Sequence, residues 1–298
     1  MDLIAELKQL KCGKIKTEVP LKNYTTYQLS GSAKVVVYPS NIEQLTNLIE
    51  FIKKNNIKYK IIGNGSNIIF ATDYYDGVLI KLSEFNNVTI DDVRVVVGAG
   101  YNLTKLAYQV SKMGLTGFEF ASGIPGTVGG AVYMNAGAYK SDMGYVVSEI
   151  KALTPELEIK TIYNKDLDFH YRTSFLKKNP EYICLEATII LKHGTVDIIM
   201  DLIAERKQRR LMTQPLEFPS AGSVFRNPEG DAAWRLVEEA GYKGKVVNNV
   251  LVSDKHANFI INPNGASGKE IKKLIEQIQK DVKEKFDVEL ILEQEIIE

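Results

Sequence analysis

The sequence predicts an α+β protein of two or three domains, and three observations support this fold class. Helical and strand-like patterns of apolar residues alternate through the first half of the chain. Three β-rich stretches then follow one another between residues 148 and 191. The last third contains helical patterns separated by short strands. A chain of 298 residues is long enough to bury a core in each domain.

The elements of the first half follow from hydrophobic periodicity and from turn residues. The first eleven residues have the pattern of a short amphipathic helix, and Tyr59–Phe70 contains two short strands around a glycine-rich turn. The remaining predicted elements are a strand at Lys34–Ser40, a helix at Ile42–Asn55, strands in VLIKLS (Val78–Ser83) and VRVVVGAG (Val93–Gly100), and a helix at Leu103–Met113.

The second half begins with the β-rich stretches SEIKALTP, EIKTIYN and YICLEATIIL, which indicate a meander. We place the main domain boundary near residue 198. The predicted elements after the meander are a helix at Thr195–Leu211, a loop at Gln214–Asn227, a helix at Asp231–Ala240, strands in LVSD and NFIIN, a helix at Gly268–Phe286 and a closing strand in VELILEQEII (Val288–Ile297).

Composition excludes several classes of function. The formal net charge is zero and the sequence pI is about 6.9, so the broad basic surface of a nucleic-acid-binding protein is not expected. The amphipathic N-terminus resembles neither a signal peptide nor an anchor, and no apolar run reaches the roughly 18–20 residues that cross a bilayer. We therefore expect a cytoplasmic protein with neither nucleic acid nor membrane as a partner.

Metal and disulfide chemistry is also not indicated by the sequence. Cys12 and Cys184 have neither metal-ligand spacing nor a disulfide framework. His170, His193 and His256 are too scattered in sequence to suggest a metal site. We expect no metal.

The most informative segment is Gly117–Tyr139, GFEFASGIPGTVGGAVYMNAGAY. It contains six glycines and one proline in 23 residues, and Glu119 is its only ionisable residue apart from the tyrosines. Such a segment offers backbone N–H groups that an anionic ligand can approach closely. GNGSN (Gly63–Asn67) is a second loop of this kind, although alone it is also compatible with a tight hairpin. Together, the two loops could hold a pyrophosphate from opposite sides.

Three further patterns bear on nucleotide or phosphate binding, and none of them favours it. GAGYNL (Gly98–Leu103) is close to the dinucleotide fingerprint G-x-G-x-x-G, but Leu103 occupies the third glycine position, so a Rossmann site is disfavoured. The P-loop pattern is absent from the sequence. The basic cluster RKQRR (206–210) is more typical of a solvated helix end than of a phosphate clamp.

Two side chains suggest chemistry on a substrate. SAGSVFRNP (Ser220–Pro228) is a polar, glycine-containing loop without the G-x-S-x-G pattern, so Ser223 is a poor nucleophile but a possible proton donor. Arg172, in YRTS, can bind a carboxylate through two hydrogen bonds, although a lone arginine is usually a solvated surface charge.

The motifs occur together in an order typical of one enzyme family. They are NYTTY (Asn23–Tyr27), IIGNGSN, GFEFASGIPGTVGGAVYMNAGAY, YRTSF, QPLEFPSAGSVFRNP, AGYKG (Ala240–Gly244), SDKHANFIIN and LEQEII. Over nearly its whole length the chain resembles the UDP-N-acetylenolpyruvoylglucosamine reductases (MurB), flavoenzymes of bacterial peptidoglycan synthesis. The glycine-rich stretch and SAGSVF are the most specific motifs.

The resemblance implies an FAD-binding domain of the vanillyl-alcohol-oxidase (PCMH) type at residues 1–198, with two subdomains divided near residue 80. Residues 199–298 would form the substrate-binding domain. FAD would be bound non-covalently, since neither glycine-rich loop contains a histidine for a covalent link. NADPH would reduce this FAD. Hydride would then pass from flavin N5 to the nucleotide-sugar substrate, UDP-N-acetylglucosamine enolpyruvate, giving UDP-N-acetylmuramate. We expect a monomer.

Site residues carried over from the family fall into three groups. Catalytic roles are implied for Arg172, Ser223 and Glu295, with Glu293 as the alternative in register. Substrate contacts are implied for Tyr171, Asn227 and Lys243. Contacts to FAD are implied for Ile61, Gly63, Asn64, Gly65, Ser66, Asn67, Ser122, Gly123, Ile124, Gly126, Thr127, Gly129 and Gly137.

Two departures from the family pattern leave open questions. VVNNVLVS places Asn248 and Asn249 where the family usually has glycine-rich backbone. Only 50 residues separate Arg172 from Ser223, which is typical of the shorter family type without an extra tyrosine-bearing substrate loop. Two alternative functions remain on the sequence alone: an oxygen-using oxidase with the same fold, and a non-catalytic module that binds nucleotide sugars.

Overall fold

A computed structural model describes residues 2–298 of the chain and contains both helices and strands throughout. The helices of this part of the chain are α1 (Leu3–Gln9), α2 (Ile42–Lys54), α3 (Leu103–Lys112), α4 (Val128–Met134), α5 (Phe175–Lys178), α6 (Val196–Thr213), α7 (Ala233–Glu239) and α8 (Gly268–Phe286). Among residues 2–298, each helix is too short or too polar to cross a membrane.

The strands are short, and most lie where the sequence patterns predict them. They are β1 (Lys14–Pro20), β2 (Ser32–Tyr38), β3 (Tyr59–Ile61), β4 (Ile68–Phe70), β5 (Tyr74–Ile80), β6 (Val88–Asp91), β7 (Arg94–Gly98), β8 (Leu115–Thr116), β9 (Gly137–Ala138), β10 (Ser141–Asp142), β11 (Val147–Leu153), β12 (Ile159–Tyr163), β13 (Ile183–Ile190), β14 (Lys192–His193), β15 (Val246–Val247), β16 (Val250–Val252), β17 (Ile260–Ile261) and β18 (Glu295–Ile297).

The helix ends are explained by capping residues. Asn41 accepts a hydrogen bond from the backbone N–H of Gln44 and begins α2. Ser267 and Glu270 form a reciprocal capping box at the start of α8. Asp287, in the left-handed conformation, ends α8. The buried side chains of α8 recur at helical spacing: Ile271, Leu274, Ile275, Ile278 and Val282.

The three predicted β-rich stretches are confirmed as strands β11, β12 and β13 of a five-stranded sheet in the order β12-β11-β13-β7-β6. The predicted meander is wrong, because β13 pairs with β11 and not with β12. All four strand pairs in this sheet are antiparallel. β13 is central and mostly buried, whereas β12 lies at the edge with mainly exposed side chains. The sheet therefore carries its core-facing surface on the middle strands.

The glycine-rich turn between β3 and β4 is not a hairpin. β3 pairs in parallel with β5 within a four-stranded sheet ordered β1-β2-β5-β3, whereas β4 pairs in parallel with β18. A hairpin would pair the two strands with each other. The loop therefore joins two sheets, and this requirement accounts for its unusual backbone better than a tight turn does.

The chain forms two compact units. Unit 1 comprises residues 1–17, 35–63 and 77–207, and unit 2 comprises residues 18–34, 64–76 and 208–298. Unit 1 contains a continuous apolar core between α2, α3 and the five-stranded sheet. Unit 2 contains α7, α8, the β4–β18 pair and the antiparallel sheet β15-β16-β17. The functional boundary near residue 198 stays a prediction, since these units are defined by packing alone.

The closing strand is much shorter than its sequence predicts. VELILEQEII was expected to be one strand, but only Glu295–Ile297 pairs with β4. Before it, Leu292 bridges to Phe225 and the N–H of Glu293 donates to Val224 O at 2.8 Å. The segment therefore changes partners at residue 294, and a single strand cannot form.

Gly268 provides a test of packing in unit 2. A methyl group at this position would overlap the carbonyl oxygen of Phe70, although alanine is normally preferred to glycine in helices by about 1 kcal/mol. We predict that Gly268→Ala lowers Tm by at least about 3 °C, using the scaling of roughly 2–4 °C per kcal/mol for proteins of this size. Lys273→Ala, on the exposed side of α8, is the control and should change Tm by less than about 1 °C. An unchanged or higher Tm for Gly268→Ala would show that α8 and β4 are packed less closely than described.

Candidate active site

Of the two predicted cofactor loops, Gly63–Asn67 is called the first loop and the glycine-rich segment Gly117–Tyr139 the second. The second loop lies in unit 1 and packs against the residues that follow β7. The N–H groups of Val128 and Gly129 donate to Tyr101 O and Ala99 O at 2.9 and 2.8 Å. A Cβ at Gly129 would lie 2.9 Å from Ala99 Cβ, so the position requires glycine. Thr127 caps α4 by accepting a hydrogen bond from Gly130 N–H at 3.3 Å. The N-terminal end of α4 is therefore fixed by hydrogen bonds within the protein, whereas residues 122–127 before it are partly or fully exposed.

The glycines of the GAGYNL motif have a structural role. A Cβ at Gly98 or Gly100 would overlap the backbone carbonyl of Phe85 or Leu82, respectively. These glycines are needed because two backbone segments pass very close to each other. The structure thereby accounts for the near match to a dinucleotide fingerprint without a nucleotide.

Glu119 is a structural carboxylate at the start of the same loop. It is 7% exposed and accepts hydrogen bonds from Thr116 Oγ1 at 2.5 Å and from Gly117 N–H at 3.0 and 3.1 Å. These bonds satisfy buried carboxyl oxygens, whose burial without partners would be costly. The one acidic side chain of the glycine-rich stretch thus supports the loop.

Gly63 and Thr127 bring the two predicted cofactor loops together within unit 1. A Cβ at Gly63 would lie 2.6 Å from Thr127 Oγ1. Lys81 donates from Nζ to Gly63 O at 2.7 Å, and burial lowers the pKa of Lys81. Lys81 was not among the predicted site residues, although a lysine within the apolar strand VLIKLS is a sequence signal for a partly buried cation.

These residues fit the FAD that the family resemblance implies. Neither Gly63–Asn67 nor Ser122–Val132 contains a carboxylate, and both segments consist of glycine, small polar and aliphatic residues. Backbone N–H groups in such loops suit the two negative charges of a pyrophosphate. Lys81 places a cation beside Gly63.

The other part of the first loop, Asn64–Asn67, belongs to unit 2. A Cβ at Gly65 would overlap Tyr24 O, and Thr26 N–H donates to Gly65 O at 3.2 Å. The NYTTY motif therefore packs against Gly65 and hydrogen-bonds to it. Asn67 continues the chain into β4, with its side-chain amide donating to Glu293 O at 3.2 Å.

Arg172 lies in unit 1 in a strained turn. Its φ is +58°, which is uncommon for a residue with a side chain, and residues His170 and Thr173 bridge across it. The guanidinium donates to Gly137 O at 3.1 Å and lies 5.0 Å from the centroid of the Tyr171 ring. The turn therefore holds the guanidinium in a defined place beside Gly137 and Tyr171.

Asn135 connects this turn to α4 and was missed by the sequence reasoning. It is 2% exposed, has φ +43° at the end of α4, and donates from Nδ2 to His170 O at 2.9 Å. Its Oδ1 accepts from Gly144 N–H at 2.9 Å. The signal available in the sequence was Asn-Ala-Gly directly after a helical pattern, a favoured arrangement for a left-handed helix end.

Ser223 and Glu295 are brought together in unit 2 by backbone contacts of their neighbours. The N–H of Glu293 donates to Val224 O at 2.8 Å, and the N–H of Glu295 donates to Asn67 O at 2.9 Å. Three segments far apart in sequence therefore meet: the end of the first cofactor loop, the serine loop and the acidic end of the chain. We name this meeting point, formed by residues 67, 221–225 and 292–295, the unit 2 junction.

A cavity of about 500 Å³ lies elsewhere in unit 2. Its lining contains three cationic side chains, one carboxylate and an aromatic ring: Arg209, Met212, Thr213, Gln214, Trp234, Glu238, Lys243, Lys255, His256 and Ala257. Lys243 pairs with Glu238 at 2.8 Å, and burial lowers the pKa of His256, which favours the neutral imidazole. Asn227 accepts from Ala233 N–H at 3.1 Å, beside the tryptophan. The excess of cations suits a phosphorylated ligand.

The basic cluster at the end of α6 is not only a solvated helix end. Arg206 lies 4.6 Å from the centroid of the Tyr139 ring, and Tyr139 donates from its hydroxyl to Arg206 O at 3.1 Å. Arg209 lines the cavity described above. Arg206 therefore contacts an aromatic ring, and Arg209 faces the cavity in unit 2.

Asn248 answers one question raised by the sequence. It has φ +55° in the two-residue turn between β15 and β16, where Val247 pairs with Val250. Asparagine tolerates this left-handed conformation better than most residues with side chains. The backbone shape that glycine permits is thus available here, and Asn249 donates to Glu270 Oε1 at 3.1 Å.

The predicted site residues divide between the two units. Unit 1 contains Ile61, Gly63, Ser122, Gly123, Ile124, Gly126, Thr127, Gly129, Gly137, Tyr171 and Arg172. Unit 2 contains Asn64, Gly65, Ser66, Asn67, Ser223, Asn227, Lys243 and Glu295. Their individual roles remain predictions.

Two family models match separate parts of the chain. A family model described as an FAD binding domain matches residues 33–162, and the model for the C-terminal domain of UDP-N-acetylenolpyruvoylglucosamine reductase matches residues 214–297. Reductases of that name from Bacillus licheniformis and Bacillus subtilis are 44% and 41% identical to this chain over 296 residues. In both cases the match covers 99% of this chain and 98% of the relative.

Solved structures give the same result. The crystal structure of the reductase MurB from Thermus caldophilus has a TM-score of 0.82 and 31% identity, covering 96% of this chain and 99% of that one. Berberine bridge enzyme, at 16% identity, has a TM-score of 0.50 over 65% of this chain and 44% of its own, and it is alike in fold alone. The predicted fold class is confirmed: an FAD-binding domain of the vanillyl-alcohol-oxidase (PCMH) type, followed by the C-terminal α+β domain.

Gly63 tests the assignment of the loops to FAD. We predict that Gly63→Ala raises the Kd for FAD at least about tenfold, because the methyl group would displace Thr127, which caps α4. Gly130→Ala is the matched control, since its Cβ would lie 3.4 Å from Thr127 Oγ1 and alanine is favoured in a helix. Flavin absorbance per protein and a fluorescence titration measure the effect. Wild-type affinity in Gly63→Ala would contradict the assignment.

Proposed function

The chain belongs to the UDP-N-acetylenolpyruvoylglucosamine reductase family, and on this premise we propose that it reduces UDP-N-acetylglucosamine enolpyruvate to UDP-N-acetylmuramate. It is an FAD-dependent oxidoreductase of peptidoglycan synthesis that takes its electrons from NADPH. The observation that supports this most directly is the unit 2 junction, where backbone hydrogen bonds join the end of a cofactor loop to the segment of Glu295, and that segment to the residue after Ser223.

FAD, when bound, supplies the hydride obtained from NADPH. Hydride adds to the terminal enolpyruvyl carbon, and the π electron pair of the double bond moves to the carbon beside the carboxylate. That carbon then takes a proton. The protein must therefore stabilise an enolate-like negative charge and deliver one proton to a defined carbon.

We assign the stabilisation of that charge to Arg172. Its guanidinium can bind the substrate carboxylate through two parallel hydrogen bonds, which strengthen as negative charge develops. The bonds from Arg172 to Gly137 O and from Asn135 to His170 O support the arginine before substrate binds. Preorganisation of this kind avoids reorganisation during the reaction.

We assign proton delivery to Ser223. Its hydroxyl would donate the proton, and water would then return one to the serine oxygen. The carbanion is a far stronger base than the serine alkoxide that the transfer leaves behind, so the position of the hydroxyl matters more than a lowered pKa. Glu295, beside Asn67 in the unit 2 junction, would hydrogen-bond to the substrate carboxylate or to the proton donor.

The cavity in unit 2 is proposed to bind the nucleotide-sugar diphosphate. Lys243 and Arg209 supply positive charge, and Trp234 supplies an aromatic surface. Asn227, which accepts a hydrogen bond from the first N–H of α7, is proposed as a further contact to the diphosphate. We also propose a cytoplasmic monomer, which size-exclusion chromatography with light scattering and cell fractionation can test.

Ser223→Ala separates the two halves of the reaction. We predict that NADPH reduces the FAD of this variant at the wild-type rate, whereas reoxidation by the enolpyruvyl substrate falls at least about 10²-fold, as is common when a general acid is lost. Stopped-flow absorbance of the flavin measures both steps. Ser220→Ala, in the same loop, is the control and should reoxidise normally. Normal reoxidation of Ser223→Ala would refute the assignment of the proton donor.

Arg172→Lys tests recognition of the carboxylate. Lysine keeps the positive charge but lacks the planar pair of donors, so we predict a loss of about 10- to 100-fold in the reoxidation rate. Reduction by NADPH should remain normal. Arg94→Lys, at an exposed ion pair with Glu149, is the matched control. Equal loss in both half-reactions of Arg172→Lys would indicate a general structural role instead.

A further inference from the structure

We propose that Tyr27 and Gln294 form a buried hydrogen-bonded pair that positions Ser223 relative to Glu295. The proposal rests on the function proposed above for these two residues. It assigns Tyr27 and Gln294 a positioning role, since neither is proposed to touch the substrate. All four residues belong to unit 2.

Gln294 holds the backbone that leads into Ser223. Its side chain is 4% exposed, and Nε2 donates to Ala221 O at 3.1 Å and to Gly222 O at 3.3 Å. The carbonyl of Gly222 is part of the peptide bond to Ser223. Gln294 directly precedes Glu295 in the chain. Its side chain therefore links the backbone beside Glu295 to the peptide group that joins Gly222 to Ser223.

Tyr27 fixes the orientation of that amide. The tyrosine is fully buried, and its hydroxyl donates to Gln294 Oε1 at 3.0 Å. Burial raises the pKa of Tyr27 far above its usual value, so the hydroxyl keeps its proton and remains a donor. A donor facing Oε1 turns Nε2 toward the two carbonyls. The reversed amide would place two donors together and leave the carbonyls without partners.

Tyr27 is itself firmly held. Its carbonyl accepts a hydrogen bond from Asn262 Nδ2 at 2.9 Å, and the preceding residue, Thr26, donates from its N–H to Gly65 O at 3.2 Å. The segment that supports the first cofactor loop therefore also orients Gln294. The segment Thr26–Tyr27 thus contacts both Gly65 of the first cofactor loop and the Gln294 side chain.

Gly222 explains why such a restraint is needed. It has φ +75°, and a Cβ placed there would have no atom within 4 Å. A glycine with open space beside it offers little steric restraint on the chain before Ser223. The two hydrogen bonds from Gln294 supply the restraint instead. A displacement of about 1 Å at a reacting group can reduce a rate about 10²-fold, so the pair has a measurable function.

The test compares Tyr27→Phe, Gln294→Leu and the double variant in the FAD-loaded protein. We expect flavin reduction by NADPH to stay within twofold of wild type. The rate constant for reoxidation at saturating substrate should fall about 3- to 10-fold in Tyr27→Phe and about 10- to 100-fold in Gln294→Leu, with the substrate Kd within threefold. The double variant should be no slower than Gln294→Leu, because both substitutions break one connected pair.

A second measurement is independent of activity. Hydrogen–deuterium exchange of the peptide covering residues 219–226 should be faster in Tyr27→Phe and in Gln294→Leu. Tyr75→Phe is the matched control, since Tyr75 is 1% exposed and also belongs to unit 2. It should change neither this exchange nor reoxidation. Tyr27→Phe removes one oxygen atom, so it keeps the test available even if Gln294→Leu does not fold.

The outcomes separate this proposal from the proposed function. Normal reoxidation in Tyr27→Phe and Gln294→Leu, together with impaired Ser223→Ala, would overturn the positioning role alone. Equal losses in both half-reactions, or additive losses in the double variant, would also overturn it, because they indicate general destabilisation. Normal reoxidation in Ser223→Ala would refute the function on which the proposal rests.

Discussion

The unit 2 junction depends on a short parallel pairing of β4 with β18. In this pairing the N–H of Glu295 donates to Asn67 O, and the Asn67 side chain returns a hydrogen bond to Glu293 O. Parallel strands cannot be joined by a tight turn, so the two partners must come from distant parts of the sequence. The chain between these two strands contains the serine loop, the residues that line the cavity, and α8.

Unit 1 is organised by a different constraint, the close approach of backbone to backbone. Glycine is required at positions 98, 100 and 129 because neighbouring main chain or side chain occupies the space of a Cβ. Polar side chains then secure the loops: Thr127 caps α4, and Asn135 joins the end of α4 to the turn that carries Arg172. The result is a surface of small residues and backbone N–H groups, which suits a phosphate-bearing cofactor.

Sequence reasoning succeeded where the physics is local. The helical spacing of apolar residues located α2 and α8 within one or two residues, and the β-rich patterns located β11, β12 and β13 although not their order in the sheet. It failed where a distant partner decides the outcome. VELILEQEII was predicted as one strand, but contacts with Val224 and Phe225 divide it. Tyr27 and Gln294 are 267 residues apart, so neither has a local signal for their hydrogen bond.

The central claim is that FAD lies on the two glycine-rich loops while the unit 2 junction serves the substrate. A crystal structure with FAD and UDP-N-acetylglucosamine enolpyruvate bound tests this most directly. We expect the FAD pyrophosphate within about 3 Å of backbone N–H groups in Gly63–Asn67 and Ser122–Thr127. The Ser223 hydroxyl should face the carbon beside the carboxylate, with Arg172 on the carboxylate itself. A pyrophosphate bound elsewhere, or a Ser223 hydroxyl remote from that carbon, would contradict the account.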